Sequence, residues 1–307
     1  MRRKLLICAI LVVLVMALAG YFTKGILSPK VGLCLSGSNS ELEKGLRDEM
    51  ALAGCTVLSR DGENNQEKQK QQVEELLGKK VDVLVIQPVE MTAVAEIVQL
   101  TVETPVIFIG REPAVLGNAY FVGCDITREG QIQAQLLESL FAKADINGDR
   151  NVEYMILTGP EEDPLSQLYV KNVIASMAEH SAEKLQEVYC DGTSAAAKSQ
   201  CRQALLRFGR DLELILCSDD ALAVGAITAV KDSGRTPGKD VIIFGVGTEA
   251  NLKESVRTGA LTAAVVEDTQ AVYDRIVQVA SKLVKGEEIS QKNYVNYKVL
   301  TVDNVNE

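Results

Sequence analysis

The feature that most constrains this chain is an alternation of short apolar runs with helical stretches, run through twice. Strand-like runs at Lys30–Leu35, Cys55–Ser59, Val81–Ile86, Pro105–Ile109 and Ala119–Val122 are separated by predicted helices at Ser40–Ala53, Gln66–Leu77 and Met91–Val102. The pattern restarts with a long helix over Thr127–Ala142 and strands at Val152–Leu157, Leu185–Tyr189, Leu212–Leu216, Val241–Phe244 and Leu261–Val266. Predicted helices at Pro164–Ala178, Ser194–Phe208, Ala221–Lys231, Glu249–Arg257 and Ala271–Lys285 fill the intervals, and Tyr294–Val302 closes the chain as one strand. Strands alternating with helices imply right-handed crossovers and parallel sheets covered on both faces. Two such series with no Gly/Ser/Pro-rich linker predict an α/β chain of two packed Rossmann-like lobes. Trp is absent and aromatics are 5%, which favours aliphatic α/β layers over an aromatic-rich sandwich.

Ahead of this pattern, Arg2, Arg3 and Lys4 precede an unbroken apolar run from Leu5 to Phe22 with a small-x-small site at Ala17–Ala19. That is the layout of a secretory leader. Uncleaved, the run is just long enough to span a bilayer with the cations inside. Leu18-Ala19-Gly20 would suit a lipid-modified cysteine, but Tyr21 follows, so the choice lies between a cleaved leader and a retained anchor. Either way the body is exported, to the periplasm or the outer face of the cytoplasmic membrane. Of seven cysteines, Cys8 lies in the leader; the others are expected to be free small hydrophobes, with Cys190 and Cys201 the one pair close enough in sequence to consider.

Net charge is −10, which repels phosphate backbones and argues against nucleic-acid binding. The one histidine, His180, sits in a polar helical stretch, so histidine-dependent hydrolase and metal chemistry would have to run through a single ring. No glycine-rich phosphate loop follows any strand, and no nucleophile–base pair is visible, so no enzyme is expected. In doubly wound sheets ligands sit beyond the carboxyl ends of the strands. Those ends carry Ser36–Ser40 with Ser38, Gln87, Gly110-Arg111-Glu112, Asp125, Asp163, Asp219-Asp220 and Gly247. Asp219-Asp220 ends an apolar strand and opens a helix, where a carboxylate either caps or faces a ligand.

The most specific local pattern is Asp145-Ile-Asn147-Gly-Asp149-Arg-Asn151-Val-Glu153. Oxygen-bearing side chains at alternate positions wrap a hard cation, as in a calcium loop; the alternative is an Asx-rich turn. Where the usual glycine would stand there is Arg150, which must take an awkward backbone angle at about 1–2 kcal/mol.

Several runs resemble one family. They are Asp61–Gln69 followed by Gln71–Leu77, Pro105–Phe108 followed by Arg111-Glu112-Pro113, Val122–Asp125, Cys217–Ala223 and Phe244–Val246. In order and spacing, from about Lys30 to Asp303, they resemble the type I periplasmic sugar-binding proteins, and the galactose/glucose-binding group most. The resemblance implies two lobes joined by three hinge crossovers: 28–125 plus 268–291, and 126–267 plus 292–307, after a leader of 1–27. It implies hinge closure on a sugar between the lobes and delivery to an ABC permease or a membrane receptor, by a monomer. It also implies a structural calcium ion held by Asp145, Asn147, Asp149, the Asn151 carbonyl and Glu153, completed by the remote Glu213.

The sugar ring departs from the family. Gly110 stands for an asparagine, Asp163 and Tyr169 for a histidine and an arginine, Asp219 for an asparagine, Gly247 for an aspartate and Glu267 for the hinge asparagine. The resulting set (Ser38, Gly110, Arg111, Glu112, Asp125, Asp163, Tyr169, Asp219, Gly247, Glu267) is richer in acid, and one consequence would be a cationic or amino-bearing ligand. The expected function is capture of a sugar or sugar-like solute for ABC-type import. The alternative is a membrane-anchored sensor lobe signalling to a chemoreceptor or histidine kinase.

Overall fold

The computed structural model describes residues 28–37 and 40–306, so the leader and Ser38 lie outside the described residues. Contacts divide the chain into two units: the residues up to Gly123 with Ala271–Asn293, and Cys124–Gln270 with Tyr294–Glu307.

The first unit contains β1 (Lys30–Leu35), α1 (Ser40–Leu52), β2 (Thr56–Asp61), α2 (Gln66–Gly78), β3 (Val83–Ile86), α3 (Val94–Leu100), β4 (Val106–Ile109) and β5 (Tyr120–Cys124). The second contains α4 (Glu129–Ala144), β6 (Val152–Thr158), α5 (Pro164–Met177), β7 (Ala182–Tyr189), α6 (Ser194–Phe208), β8 (Leu214–Cys217), α7 (Asp220–Asp232), β9 (Ile242–Gly247), α8 (Glu249–Arg257) and β10 (Ala263–Glu267). Helix α9 (Thr269–Val284) and β11 (Lys292–Val295) return to the first sheet, and β12 (Tyr297–Thr301) joins the second.

The sheets run β11-β5-β4-β3-β1-β2 and β12-β10-β9-β8-β6-β7. Each therefore repeats the doubly wound order 2-1-3-4-5 and has its switch point where the order reverses, at β1/β3 and at β6/β8. The two-lobed α/β fold is as expected. Tyr294–Val302 is corrected: it is two strands, one in each sheet, and β12 runs antiparallel to β10. Apolar content alone does not reveal that a strand-like run changes sheets at Asn296. His180 is also corrected, because α5 stops at Met177 and the ring lies in the following turn.

Strand alternation fills two cores in the second unit. Met155, Leu157, Ile215, Cys217 and Ile243 face α6 and α7, while Tyr154, Ile156, Leu214, Leu216 and Phe244 face α4 and α5. Each fully buried aliphatic or aromatic side chain contributes about 1.5–3 kcal/mol. Helix starts are fixed by side-chain caps worth about 1 kcal/mol each: Asn65 accepts from Lys68 N at 2.9 Å, Asp163 from Leu165 N at 3.0 Å and Asp219 from Leu222 N at 2.9 Å. Cys34, Cys55, Cys124, Cys190, Cys201 and Cys217 are free. Among the described residues no helix is long and apolar enough to cross a membrane.

Helices α6 and α7 meet at Gly225, where an added Cβ would lie 2.4 Å from the Ser194 carbonyl and 2.9 Å from Lys198 N. Backbone cannot give way as a flexible side chain can. Gly225→Ala is expected to cost about 1–3 kcal/mol, read as a lower urea midpoint for the variant; an unchanged midpoint would show that the helices separate freely.

Candidate binding site at the strand ends

In the first unit the loops beyond β1, β2 and β3 are tied together by amides. Ser36 Oγ donates to Gln87 Oε1 at 3.0 Å, and the fully buried Gln69 donates to the Gln87 carbonyl at 2.8 Å while accepting from Val89 N at 3.0 Å. Gln72 adds a bond to the Asp61 carbonyl at 2.5 Å. Gly110 follows β4 with φ +79°, and a Cβ there would meet only Gln87. Beside it Arg111 is exposed, and Glu112 is half-buried and paired with Lys292 of β11. Gly110, Arg111 and Glu112 thus form one loop on a rigid strand end.

The second unit brings together more. Glu267, the last residue of β10, lies opposite Tyr297 in the β10/β12 register. The Tyr297 hydroxyl donates to Glu129 Oε1 at 2.7 Å. Glu129 opens α4, and one turn on Gln133 donates to the Cys217 carbonyl at 3.1 Å and accepts from the Tyr169 hydroxyl. Tyr169 is therefore buried and spent inside the unit. Asp219 caps α7 two residues beyond β8. Asp163 caps α5, and Asp125 accepts from Thr127 N at 3.0 Å and Thr127 Oγ1 at 2.6 Å. Gly247 ends β9 where a Cβ would press on Asp220 Cβ at 2.8 Å, and Asp220 in turn accepts from Asn251.

Glu129, Gln133 and Tyr297 were not singled out from the sequence. The signal was there in α4, where Glu129 and Gln133 share the buried face with Leu137 at helical spacing, a polar pair on an apolar stripe.

The electrostatics of this set are one-sided. Burial pushes the Glu129 carboxyl up to about 7, the Tyr297 hydroxyl pulls against it, and the Glu267 and Asp219 charges push further. Burial likewise raises Glu267, and raises Asp219 against the pull of its cap bonds. Among the described residues no Lys or Arg pairs with any of the three. Every one of these carboxyls keeps acceptor oxygens, and a donor or positive charge arriving there would favour their ionised form.

The loop between α4 and β6 has its own geometry. Asp145 accepts from Gly148 N at 2.9 Å and Arg150 N at 3.1 Å, Asn147 from Asp149 N at 2.8 Å, and Asp149 from Asn151 N at 2.9 Å. Arg150 takes φ +71°, the awkward angle foreseen for it. The buried Glu213 carboxylate accepts from Ile146 N at 2.7 Å, Asn147 N at 2.8 Å and Glu153 N at 3.3 Å. Among the described residues no three Asp, Glu, His or Cys side chains stand together as metal ligands. The donor set nonetheless fits a hard cation, because it is all oxygen and Glu153 Oε2 is buried without a partner.

Glu129 generates a test. The folded chain keeps its proton to higher pH than the unfolded chain, whose carboxyl titrates near 4.5. Stability contributed by the neutral acid is present below that value and is lost as pH rises toward about 7. Thermal midpoints measured from pH 5 to 8 are expected to fall with rising pH, and Glu129→Gln to flatten that fall; equal slopes in both proteins would refute the assignment.

Comparison with known proteins shows the family of the chain. A family model described as "Periplasmic binding protein domain" matches residues 35–288. The chain is 27% identical over 258 residues to the D-galactose/methyl-galactoside binding periplasmic protein MglB of Haemophilus influenzae, covering 80% of this chain and 77% of that one. The solved periplasmic ribose ABC transporter protein of Conexibacter woesei superposes with TM-score 0.79 at 17% identity, covering 91% of this chain and 93% of the other. The fructose-binding periplasmic domain of the hybrid two-component system BT1754 gives 0.71 at 19% identity, with 91% and 92% covered. The first and the last of these relatives are described as binding proteins. The chain belongs to the type I periplasmic sugar-binding protein family.

Proposed function

We propose that this chain is an exported solute-binding protein that captures a sugar or sugar-like small molecule for an ABC-type importer. The family match over residues 35–288 carries the reading. The strand-end groups of the second unit support it: Glu129, Asp219 and Glu267 offer acceptors to a hydroxyl-rich ligand. Among the described residues no Lys or Arg forms an ion pair with the three carboxyls of the second unit, which favours a ligand that also carries an amino group. Its ammonium would supply the missing charge, and burial would strengthen the pairing. Binding shifts a population of conformations toward the liganded one, with no turnover. A sensor role is the second reading, favoured by the likeness to the periplasmic domain of a two-component system; it requires residues 1–27 to stay in the mature protein.

Thermal unfolding of the mature chain against neutral sugars, polyols and amino sugars tests capture. A ligand at 100 times its Kd adds about 2.7 kcal/mol. A hit among these compounds is expected, with Glu267→Gln weakening the best one at least tenfold; no shift with any class would overturn the proposal.

We further propose that the 145–153 loop holds one calcium ion through Asp145, Asn147, Asp149, the Asn151 carbonyl, Glu153 and Glu213. Bound there, the ion would neutralise the half-buried Glu153 and the buried Glu213 carboxylates and lock the α4–β6 connection. Chelator is expected to lower the unfolding midpoint and calcium to restore it, with Glu213→Gln losing the response. A midpoint indifferent to chelator would dismiss the ion.

A further inference from the structure

We propose that a hollow on the second unit, where α6 and α7 end, is a docking site for an acidic segment of a protein partner. This goes beyond solute capture and uses none of the strand-end groups. The hollow has a volume of about 940 Å³ and is lined by Arg202, Arg210 and Arg235 together with Leu205, Leu206 and Ile146.

Its charge is unbalanced. Three arginines face two acids in its wall: Asp232 is paired with Lys198 at 2.6 Å, and Asp240, which accepts from Thr236 N at 2.7 Å, offsets Arg235 alone. Arg235 is anchored by the Gly209 carbonyl at 2.7 Å and the Asp240 carbonyl at 2.6 Å, so its guanidinium is fixed without being neutralised by a direct ion pair. Among the described residues the Arg202 and Arg210 side chains make no ion pair or hydrogen bond. Burial holds the Arg235 guanidinium below its ordinary range; Asp240 opposes this and the nearby Arg210 adds to it. Helix dipoles favour cations at C-termini, which accounts for Arg210 and Arg235, but the effect fades within the last turn. Arg202 lies before the last turn of α6, so the dipole does not explain it. On a chain of net charge −10 this is a positive island, and it would steer an anionic partner to one place.

The apolar part of the lining selects among anions. Leu206 is 78% exposed and Ile146 40% exposed, both at the edge of the guanidiniums. A free phosphate would leave these side chains wet and most of the hollow empty. A bilayer surface is flat and would not reach into a concavity. A peptide carrying Asp or Glu side chains and one apolar anchor satisfies both requirements, through bidentate carboxylate–guanidinium pairs around a buried aliphatic contact.

The test selects a random displayed peptide library on the full chain and on the Arg202→Gln/Arg210→Gln double variant. Both arginines are exposed and unpaired, so the variant is expected to keep the wild-type unfolding midpoint. Selected peptides are expected to be rich in Asp and Glu around an apolar residue. By fluorescence anisotropy they should bind the double variant and Leu206→Ala at least tenfold more weakly, and lose affinity steeply with salt. No acidic enrichment, or binding indifferent to the double variant, would overturn the proposal. So would variant-sensitive binding confined to vesicles containing phosphatidylglycerol, or to inorganic phosphate, without any acidic peptide.

Discussion

A parallel strand buried on both faces has no position along its length for a polar side chain, and the rest of this molecule follows from that constraint. The inner strands β3, β4 and β8 are buried throughout, so the polar chemistry of each unit is displaced to the turn that follows a strand. Gln87 after β3, Gly110 to Glu112 after β4, Asp219 after β8 and Gly247 at the end of β9 are all products of that displacement. The repeated strand order puts a reversal in each sheet, and a reversal leaves room between neighbouring turns for a ligand atom.

Much of this was legible because the period of the apolar pattern is a direct consequence of burial. Lys30–Leu35, Ser194–Phe208 and Glu249–Arg257 begin and end where the sequence places them, since caps and apolar runs coincide there. The split of Tyr294–Val302 was not legible. Tyr297, Val299 and Thr301 read as one continuous strand with Tyr294, and the transfer between sheets is set by which partner edge is open, a long-range property. Helix α4 starts two residues later than its pattern suggested, because Ile126–Arg128 forms a tighter turn under the Asp125 cap.

The site was half legible. Strand-end positions could be named from topology, but the roles of particular side chains depend on partners far away in the chain. Tyr169 carries a phenol at a place where a ligand contact was expected, and Gln133, on a different helix, takes it up internally. Glu129 reads as an ordinary first-turn acid until β12 brings Tyr297 onto it, 168 residues away in sequence. Arg150 is the opposite case: a single residue out of pattern in the loop was enough to foresee its left-handed backbone.

The two most deeply placed acids of the second unit show how a fold chooses between neutralising a carboxyl and using its charge. Glu213 is fully buried, which raises its carboxyl, but it accepts three backbone N–H bonds that pull the other way and favour the ionised form. Glu129 is buried with one phenol as its donor and two further carboxyls nearby, so its charge is left poorly compensated. The first arrangement makes sense if positive charge of fixed position belongs beside it, as a bound cation would supply. The second fits the capture proposed above, because a permanent lysine or arginine there would cancel the field that a donor or ammonium would meet. One unit thus holds the same functional group in opposite surroundings, one carboxyl met by three backbone donors and the other by a single phenol among further carboxyls.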